Sequence, residues 1–337
     1  MELFQSLKTF LYNHRRKFII SGIVFGGSVA IFNVLKTIFE ANQKHKISEF
    51  LENIRRQRHF ETIQVTCDKT IISLGKRLEK EIVDVLNIDA IVTDLKKNST
   101  NSLELWETLK ISVFTQICLV VYAHTLIVFV MKIQFAIIGG YLYKNLNENN
   151  TQLDRNIQEQ YFALCVDFMK DGLHDLLEFL KVKVINIISG LDLTKPLSIQ
   201  NVQDLFWSIQ ASVLNDEFVE NIPYYLRIRA QMKTTSHPVL LQVYEETGDI
   251  ICAKELTANC VNSLLNCGFT YVTQELLAVL SNSGKGDAEL PTVKMLPIMH
   301  NLIKSKMKEP DTSVWLQKLM KSEKLEILSA NIYESYC

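Results

Sequence analysis

The chain has 337 residues, of which 47% are hydrophobic and 22% are charged, so it is long and apolar enough for a sizeable core. Its formal net charge of −1 gives no electrostatic reason to expect nucleic acid as a partner. The chain contains only 12 glycines and 6 prolines, and this scarcity of helix breakers favours an all-α architecture.

The first predicted element is a membrane-spanning helix over residues 18–35. This stretch carries no charged side chain, and as a helix it would be about 27 Å long, close to the hydrocarbon thickness of a bilayer. A cleaved signal peptide would have a shorter apolar core and a small-residue cleavage site, and a mitochondrial presequence would be an Arg-rich amphipathic helix. An uncleaved anchor therefore fits best. Basic residues flank both ends, so charge does not settle its orientation.

Two helical segments are predicted after the anchor. Residues 36–58 form a polar, charged helix. Further on, apolar residues recur at spacings of three to five, which is helical periodicity. They are Leu78, Ile82, Val85, Leu86, Ile91 and Leu95.

The stretch TNSLELWETLKISVF, residues 100–114, has the features of a helix start. Asn101 is a candidate N-cap, and Glu104 can reach back to complete a capping box. One stripe of this helix is apolar, and it consists of Leu105, Trp106, Leu109 and Val113. From the residues alone, core packing is the ordinary interpretation of Trp106, and contact with a partner is the alternative.

A second apolar run, residues 117–138, follows directly. It contains Lys132, and a lysine in mid-membrane costs about 2.5–3.5 kcal/mol, although one near the end of a span can snorkel. Because the run continues the helix that begins near Asn101, the combined helix would have roughly 40 residues. The pattern favours the central buried helix of a bundle, with a second membrane span as the alternative.

The remainder of the chain has more helical patterns and no sign of a sheet. Helical apolar spacing returns over residues 157–188 and 199–214. Polar or breaker-rich stretches separate the helices, at KNLNENNTQLDRN, GLDLTKPLS, TTSHP and SNSGKGDAELPT. The chain shows no repeat of solenoid length and no sustained alternation.

No catalytic, cofactor or metal motif stands out. SGKGD lacks the spacing of a phosphate-binding loop, and the seven histidines form no metal-binding pair. The seven cysteines have neither zinc nor redox spacing, which indicates reduced thiols in a cytosol-facing domain. The sequence therefore predicts neither enzyme activity nor a cofactor, and an enzyme with an unrecognised site remains a minor alternative.

Four stretches of the chain resemble the peroxisomal biogenesis factor 3 family. RRQRHFETIQVTCDKT, beginning at Arg55, resembles the family pattern RRQ-x-HFE-xx-Q-x-TC-xx-T. LELWETLKISVFTQ, KIQFAIIGGYLY and LPTVKMLPIM are similar to three further family motifs. The resemblance covers almost the whole chain, is dense over residues 50–143 and is weak over residues 190–260. The loop near residues 281–292 is shorter than the family leads us to expect.

The resemblance implies a non-enzymatic docking receptor in the peroxisomal membrane, single-pass, with its bulk facing the cytosol. The implied fold is one large helical bundle around a very long central helix. The predicted organisation is a short segment 1–17, the anchor 18–35 and a cytosolic α-helical domain 36–337. The implied partner is peroxisomal biogenesis factor 19, the soluble carrier of peroxisomal membrane proteins, whose N-terminal amphipathic helix would lie in a hydrophobic groove.

The resemblance also implies which residues bind the carrier. Trp106 matches a groove tryptophan, Leu109 lies one turn further on, and Leu95 and Lys294 match two other groove positions. Ser102 departs from the family, which often has lysine there, so one rim charge is missing. A membrane-anchored scaffold or tether without carrier binding would have the same anchor and bundle, and it remains the main alternative.

Overall fold

The computed structural model describes residues 44–97, 102–148, 155–284, 289–306 and 314–337. The predicted anchor at residues 18–35, its boundary with the domain and the predicted N-cap Asn101 lie outside these residues. The helices are α1 Lys44–Leu86, α2 Ile88–Lys97, α3 Ser102–Glu148, α4 Arg155–Asp167, α5 Leu173–Ile188, α6 Ile199–Leu214, α7 Phe218–Tyr225, α8 Ile228–Thr234, α9 Pro238–Ile251, α10 Lys254–Asn282, α11 Thr292–Lys306, α12 Val314–Met320 and α13 Glu323–Tyr336.

The prediction of an all-α fold is confirmed. Within the described ranges the strands are β1, Pro196–Leu197, and β2, Leu290–Pro291. They pair antiparallel, with Pro196 opposite Pro291 and Leu197 opposite Leu290. This short ladder joins two loops and forms no layer of the fold.

Internal contacts divide the chain into two units, residues 1–61 and 62–337. The described part of the first unit is the beginning of α1, a helix rich in charged residues. The second unit contains the rest of α1 and every later element. All contacts reported below lie within the second unit.

The long helix α3 forms the core of the second unit. Every residue from Val113 to Gly140 is buried, and α3 packs against α2, α5, α10 and α13. Among the described residues α3 is the helix whose length and composition would allow it to cross a membrane, but its apolar window is wholly buried within the domain. The apolar run 117–138 thus packs as the predicted central helix.

Lys132, the charge that argued against a membrane span, has partners inside the domain. Its ammonium donates hydrogen bonds to Gln64 Oε1 at 2.6 Å and to Asp68 Oδ1 at 2.7 Å. A buried lysine is costly unless it is paired and hydrogen-bonded. Gln64 belongs to the motif that begins at Arg55, and Lys132 is the first residue of the motif KIQFAIIGGYLY. This contact therefore joins two of the family-like motifs.

The helix predicted over residues 157–188 is interrupted by a π-helical turn, Phe168–Gly172. A Cβ atom on Gly172 would lie 1.9 Å from the carbonyl oxygen of Tyr225. The turn therefore lets the backbone approach α7 more closely than any other residue at position 172 would permit. Apolar periodicity alone carries no sign of this approach.

The periodic segment between Leu78 and Leu95 is two helices rather than one. Asn87 has a φ angle of 40°, a left-handed conformation that ends α1, and α2 begins at Ile88. By contrast, α6 has the predicted bounds 199–214. Its N-cap Ser198 accepts a hydrogen bond from the Asn201 backbone N–H at 3.1 Å, and the Asn201 side chain accepts one from the Ser198 N–H at 3.0 Å.

Candidate functional site

The candidate site begins in the first two turns of α3, where the helix changes from exposed to buried. Leu103 is 69% exposed, Trp106 is partly exposed, and Leu109 is only 2% exposed. Leu103 and Trp106 are three residues apart and so lie on neighbouring parts of the helix surface. Of the predicted stripe, Leu109 and Val113 are buried in the core, whereas Leu105 and Trp106 are partly exposed. Leu103, which is outside that stripe, and Trp106 are apolar side chains that reach the surface at the beginning of α3.

Lys110 fixes this end of α3 to the loop that follows α5. Its side chain is fully buried, and its ammonium donates a hydrogen bond of 2.5 Å to the carbonyl oxygen of Leu191 and pairs with Glu107 at 2.7 Å. Removing a partner from a fully buried ammonium is destabilising, because it leaves a buried charge unpaired. Lys110 is therefore a structural residue one turn from Trp106, and its role could not be recognised from sequence spacing.

The loop that follows α5 also contacts the beginning of α11. The backbone N–H of Val293 donates to Leu193 O at 3.0 Å, and that of Thr292 donates to Lys195 O at 2.9 Å. Lys294 is the next residue and is exposed in the first turn of α11. These contacts bring the beginnings of α3 and α11 to the same end of the domain.

Helix α2 is held to both of these helices through Asp89. Its carboxylate accepts two hydrogen bonds of 2.6 Å from the Lys304 ammonium. The His300 ring nitrogens lie 3.4 Å from Asp89 Oδ1 and 3.0 Å from Gln116 Oε1. His300 therefore contacts both Asp89 of α2 and Gln116 of α3, which places α11 beside both helices.

The C-terminal end of α2 lies near the beginning of α3. Only residues 98–101 separate Lys97 from Ser102, a distance of at most about 18 Å. Leu95, which is partly exposed, is on this end of α2. We call the four residues that share this end of the domain, Leu95, Leu103, Trp106 and Lys294, the helix-end surface. Of the predicted site residues, Leu95, Trp106 and Lys294 belong to it and Leu109 lies beneath it.

The helix-end surface has charged residues of both signs around it, with its lysines on α2 and α11. Lys96 and Lys97 occupy the last turn of α2 and are exposed. Lys294 occupies the first turn of α11, where the helix dipole is also positive and no acidic residue is present. Asp94 on α2 and Glu104 in the first turn of α3 are exposed acidic residues, and Glu107, which pairs with Lys110, is partly exposed. An acidic group on a partner would be stabilised next to Lys96, Lys97 or Lys294.

The titrating groups of the Asp89 contact join helices α2, α3 and α11. Hydrogen bonding to Lys304 lowers the pKa of Asp89, and burial lowers the pKa of His300, so that its neutral form is favoured. Both shifts have structural causes. Within the described ranges, no group of three or more His, Cys, Asp or Glu side chains could hold a metal ion.

The cysteines show no sign of catalytic activation. Burial raises the pKa of Cys67 to about 12 and raises the pKa of Cys118 further still. A nucleophilic cysteine needs the opposite shift, because the thiolate is the reactive form. The six cysteines from Cys67 to Cys267 are thiols that form no disulfide.

Sequence reasoning missed Leu103. The position was not recognised because it lies outside the stripe that contains Trp106 and Leu109. Its spacing places it on the same face as Lys110 and Phe114, which are fully buried, so its exposure comes from its position in the first turn, before α3 enters the bundle. The structure makes Leu103 the most exposed large apolar residue among those described.

The fold defines an all-α protein built on one long buried helix. No family model matches the chain, but curated proteins match it along nearly its whole length. Peroxisomal biogenesis factor 3 from Mus musculus is 27% identical, over 99% of this chain and 98% of its own length. The Rattus norvegicus protein of the same name is also 27% identical with the same coverage, and peroxisome biogenesis protein 3-2 from Arabidopsis thaliana is 21% identical over 97% of this chain.

The chain is thus similar along nearly its whole length to proteins named peroxisomal biogenesis factor 3 from several species, which supports the predicted family. The names of these relatives describe a biogenesis factor and no catalytic activity, which supports the prediction that this chain is not an enzyme.

Proposed function

We propose that this protein is a membrane-anchored docking receptor for peroxisomal biogenesis factor 19, the carrier of newly made peroxisomal membrane proteins. The similarity to proteins named peroxisomal biogenesis factor 3 supports a role in peroxisome biogenesis. The docking role is our own inference. The observation that carries it is a pair of apolar side chains, the exposed Leu103 and the partly exposed Trp106, at the beginning of a helix that is buried from Val113 to Gly140.

The helix-end surface suits an amphipathic partner helix. Such a helix binds by placing apolar side chains at positions i, i+3 or i+4, and i+7 on an apolar surface. Trp106 is a suitable centre for this contact, because a large rigid ring that is already partly ordered desolvates at little entropic cost. Leu103 and Leu95 would extend the apolar surface, and Leu109 would support Trp106 from beneath without itself contacting the partner.

The charges at the edge of the surface favour an acidic partner. Lys96, Lys97 and Lys294 would attract acidic side chains of the carrier helix and speed association. The family often has a lysine at the position of Ser102, so this chain lacks one positive charge there. The two lysines that end α2 leave this part of the surface positive nevertheless, so we expect electrostatic steering to persist.

In this proposal the chain is held in the peroxisomal membrane by residues 18–35, and residues 36–337 face the cytosol. The apolar character of residues 18–35 supports the anchor. The thiol state of the six cysteines supports a reducing compartment. The second apolar run needs no membrane, since α3 is buried in the domain.

A binding titration tests the docking role directly. The full chain in detergent is titrated into the labelled N-terminal helix of the carrier, and fluorescence anisotropy reports binding. The receptor proposal predicts saturable binding that a Leu103→Glu substitution weakens, because it places a charge on the apolar surface. A folded chain that does not bind the carrier helix would instead indicate the scaffold or tether. A scrambled helix of the same composition is the control for nonspecific attraction.

A further inference from the structure

Helix α2 provides part of the helix-end surface, but few of its own side chains are buried. Leu95 belongs to that surface, and the two lysines that end α2 follow it. Within α2, all of whose residues the structure describes, Ile88 is the one buried residue, and Ile91 and Val92 are partly exposed like Leu95. A short helix with so little buried apolar surface opens locally at a low cost in free energy. The position of α2 therefore depends on contacts other than core packing.

Asp89, at the beginning of α2, is held by two side chains of α11. The Lys304 ammonium donates a hydrogen bond of 2.6 Å to each of its carboxylate oxygens, and a His300 ring nitrogen lies 3.4 Å from one of them. His300 and Lys304 are four residues apart and so share one face of α11. His300 is only 7% exposed, and its other ring nitrogen lies 3.0 Å from Gln116 Oε1 on α3. We call Asp89 and Lys304 the α2 clamp.

We infer that the α2 clamp positions Leu95 and the lysines beside it for carrier binding, so that Asp89 and Lys304 are positioning residues of the docking site. This inference rests on the docking role proposed above and deepens it. Leu95 lies six residues beyond Asp89, about 9 Å along the same helix. A shift of α2 at Asp89 therefore moves Leu95 relative to Trp106. A partner helix gains most when the surface that it contacts is already arranged, because no free energy is then spent on ordering it.

The effect of the clamp on binding should be modest, because both of its side chains are partly exposed. The exposed fraction is 35% for the Lys304 side chain and 54% for that of Asp89, and such ion pairs contribute little to the stability of a whole domain. The same small free energy matters more for one short helix. We expect Asp89→Asn and Lys304→Met each to weaken carrier binding roughly two- to fivefold. The double variant should bind no more weakly than either single variant, since both remove the same contact.

The direction of the Asp89→Asn effect separates positioning from simple attraction between charges. Removing this carboxylate makes the end of the domain more positive, so attraction alone would strengthen the binding of an acidic partner. The clamp predicts weaker binding instead. Lys304→Arg keeps a cation that can pair with a carboxylate, so its affinity should stay close to the parental value.

Lys254→Met is the matched control for Lys304→Met. Lys254 pairs with Glu220 at 2.5 Å, an ion pair that joins α10 to α7 and includes no residue of α2. The same substitution therefore removes a lysine ion pair from another part of the domain. It should leave carrier affinity unchanged.

Two measurements on the full chain in detergent test the inference. Fluorescence anisotropy of the labelled N-terminal helix of the carrier gives the affinity, and hydrogen exchange of the chain without the carrier gives the protection of the α2 amides. In Asp89→Asn and Lys304→Met we expect α2 to exchange roughly two- to fivefold faster, with the protection of residues 113–140 in α3 unchanged.

Unchanged or stronger binding by Asp89→Asn overturns the inference, as does unchanged α2 exchange in both clamp variants. An equal loss of affinity in Lys304→Arg and Lys304→Met also overturns it, in favour of a direct contact between Lys304 and the carrier. A parent chain that does not bind the carrier helix contradicts the docking role, and the positioning role falls with it. The other adverse outcomes contradict the positioning role alone.

Discussion

Leu109 and Trp106 are one turn apart on α3, but the structure gives them different environments. Leu109 is 2% exposed, so truncation would leave a cavity beside the buried Lys110. We expect Leu109→Ala to lower the free energy of unfolding by about 2–5 kcal/mol. The carrier affinity of the folded fraction should change little. Chemical unfolding followed by circular dichroism measures the first quantity, and a carrier titration below the melting transition measures the second.

Leu103→Ala is the matched control for that substitution. The same side chain is removed, but from a position that is 69% exposed, so stability should stay within about 0.5 kcal/mol of the parent. If Leu109→Ala left stability unchanged and weakened carrier binding instead, Leu109 would be a contact residue, and the surface would extend deeper than the structure indicates.

Glu79 gives the domain a pH dependence of predictable sign. Burial raises the pKa of Glu79 to about 7, while burial lowers the pKa of the nearby His124 to about 4. The Glu79 carboxylate lies 3.7 Å from the His124 ring nitrogen. Because the folded pKa of Glu79 is raised, its contribution is fully present below about 4.5 and is lost as the pH rises through about 7. His124 acts in the opposite direction, because its buried neutral ring is destabilised as the pH falls.

Glu79→Gln should therefore stabilise the protein more at about pH 8 than at about pH 5, with a difference on the order of 2 kcal/mol. At the higher pH the parent must hold an ionised carboxylate in a buried site, and the amide removes this cost. Urea unfolding of both proteins at the two pH values provides the measurement. A substitution that destabilises equally at both pH values would show that the carboxylate is ionised and paired throughout.

At the scale of elements, the contact between the π turn and α7 depends on a missing side chain. A Cβ at Gly172 would lie 1.9 Å from Tyr225 O, a clash with backbone that no rotamer change relieves. We expect Gly172→Ala to lower the free energy of unfolding by about 3 kcal/mol. Gly190→Ala is the control, because a Cβ there meets nothing within 4 Å. Equal melting temperatures for the two variants would contradict the close approach.

The helices up to residue 214 could be predicted from periodicity, because a buried face repeats every three or four residues, whereas the later helices were expected only as part of an all-α fold. The bounds of α6 were predictable because the breaker-rich stretch GLDLTKPLS ends in a capping residue, Ser198. The end of α1 could not be predicted, because it depends on the backbone conformation of Asn87. The turn at Phe168–Gly172 could not be predicted either, because it depends on a tertiary contact with Tyr225. Periodicity carries no information about either.

The candidate site was only partly predictable. The position of Trp106 came from the family resemblance, since a tryptophan in an apolar stripe is ordinarily a core residue. The burial of Leu109 and the exposure of Leu103 depend on where α3 enters the bundle. Hydrogen bonds hold α2, α3 and α11 near one another, and they join residues far apart in sequence. Examples are the contacts of Lys110 with Leu191 and of Asp89 with Lys304. No single-sequence pattern identifies such pairs.

At the scale of the whole molecule, the proposed anchor predicts how the protein is released from membranes. A chain that lacks residues 1–42 should fold and appear in the soluble fraction after alkaline extraction, because α3 is buried within the domain. The full chain should stay in the pellet, since a spanning helix resists this treatment. A truncated chain that remained with the membrane would show that a segment other than residues 18–35 inserts into the bilayer.

The central claim is that the helix-end surface binds the carrier helix through Trp106. The most direct test measures both carrier affinity and thermal unfolding for Trp106→Ala, with Trp207→Ala as the matched control. Trp207 is 46% exposed on α6, so the control removes the same side chain from a different surface.

We predict that Trp106→Ala weakens binding by about 2–4 kcal/mol, roughly 30-fold to 1,000-fold, and lowers stability only slightly. Trp207→Ala should leave the affinity unchanged. Parental affinity in a folded Trp106→Ala protein, or an equal loss of affinity in both variants, would contradict the claim.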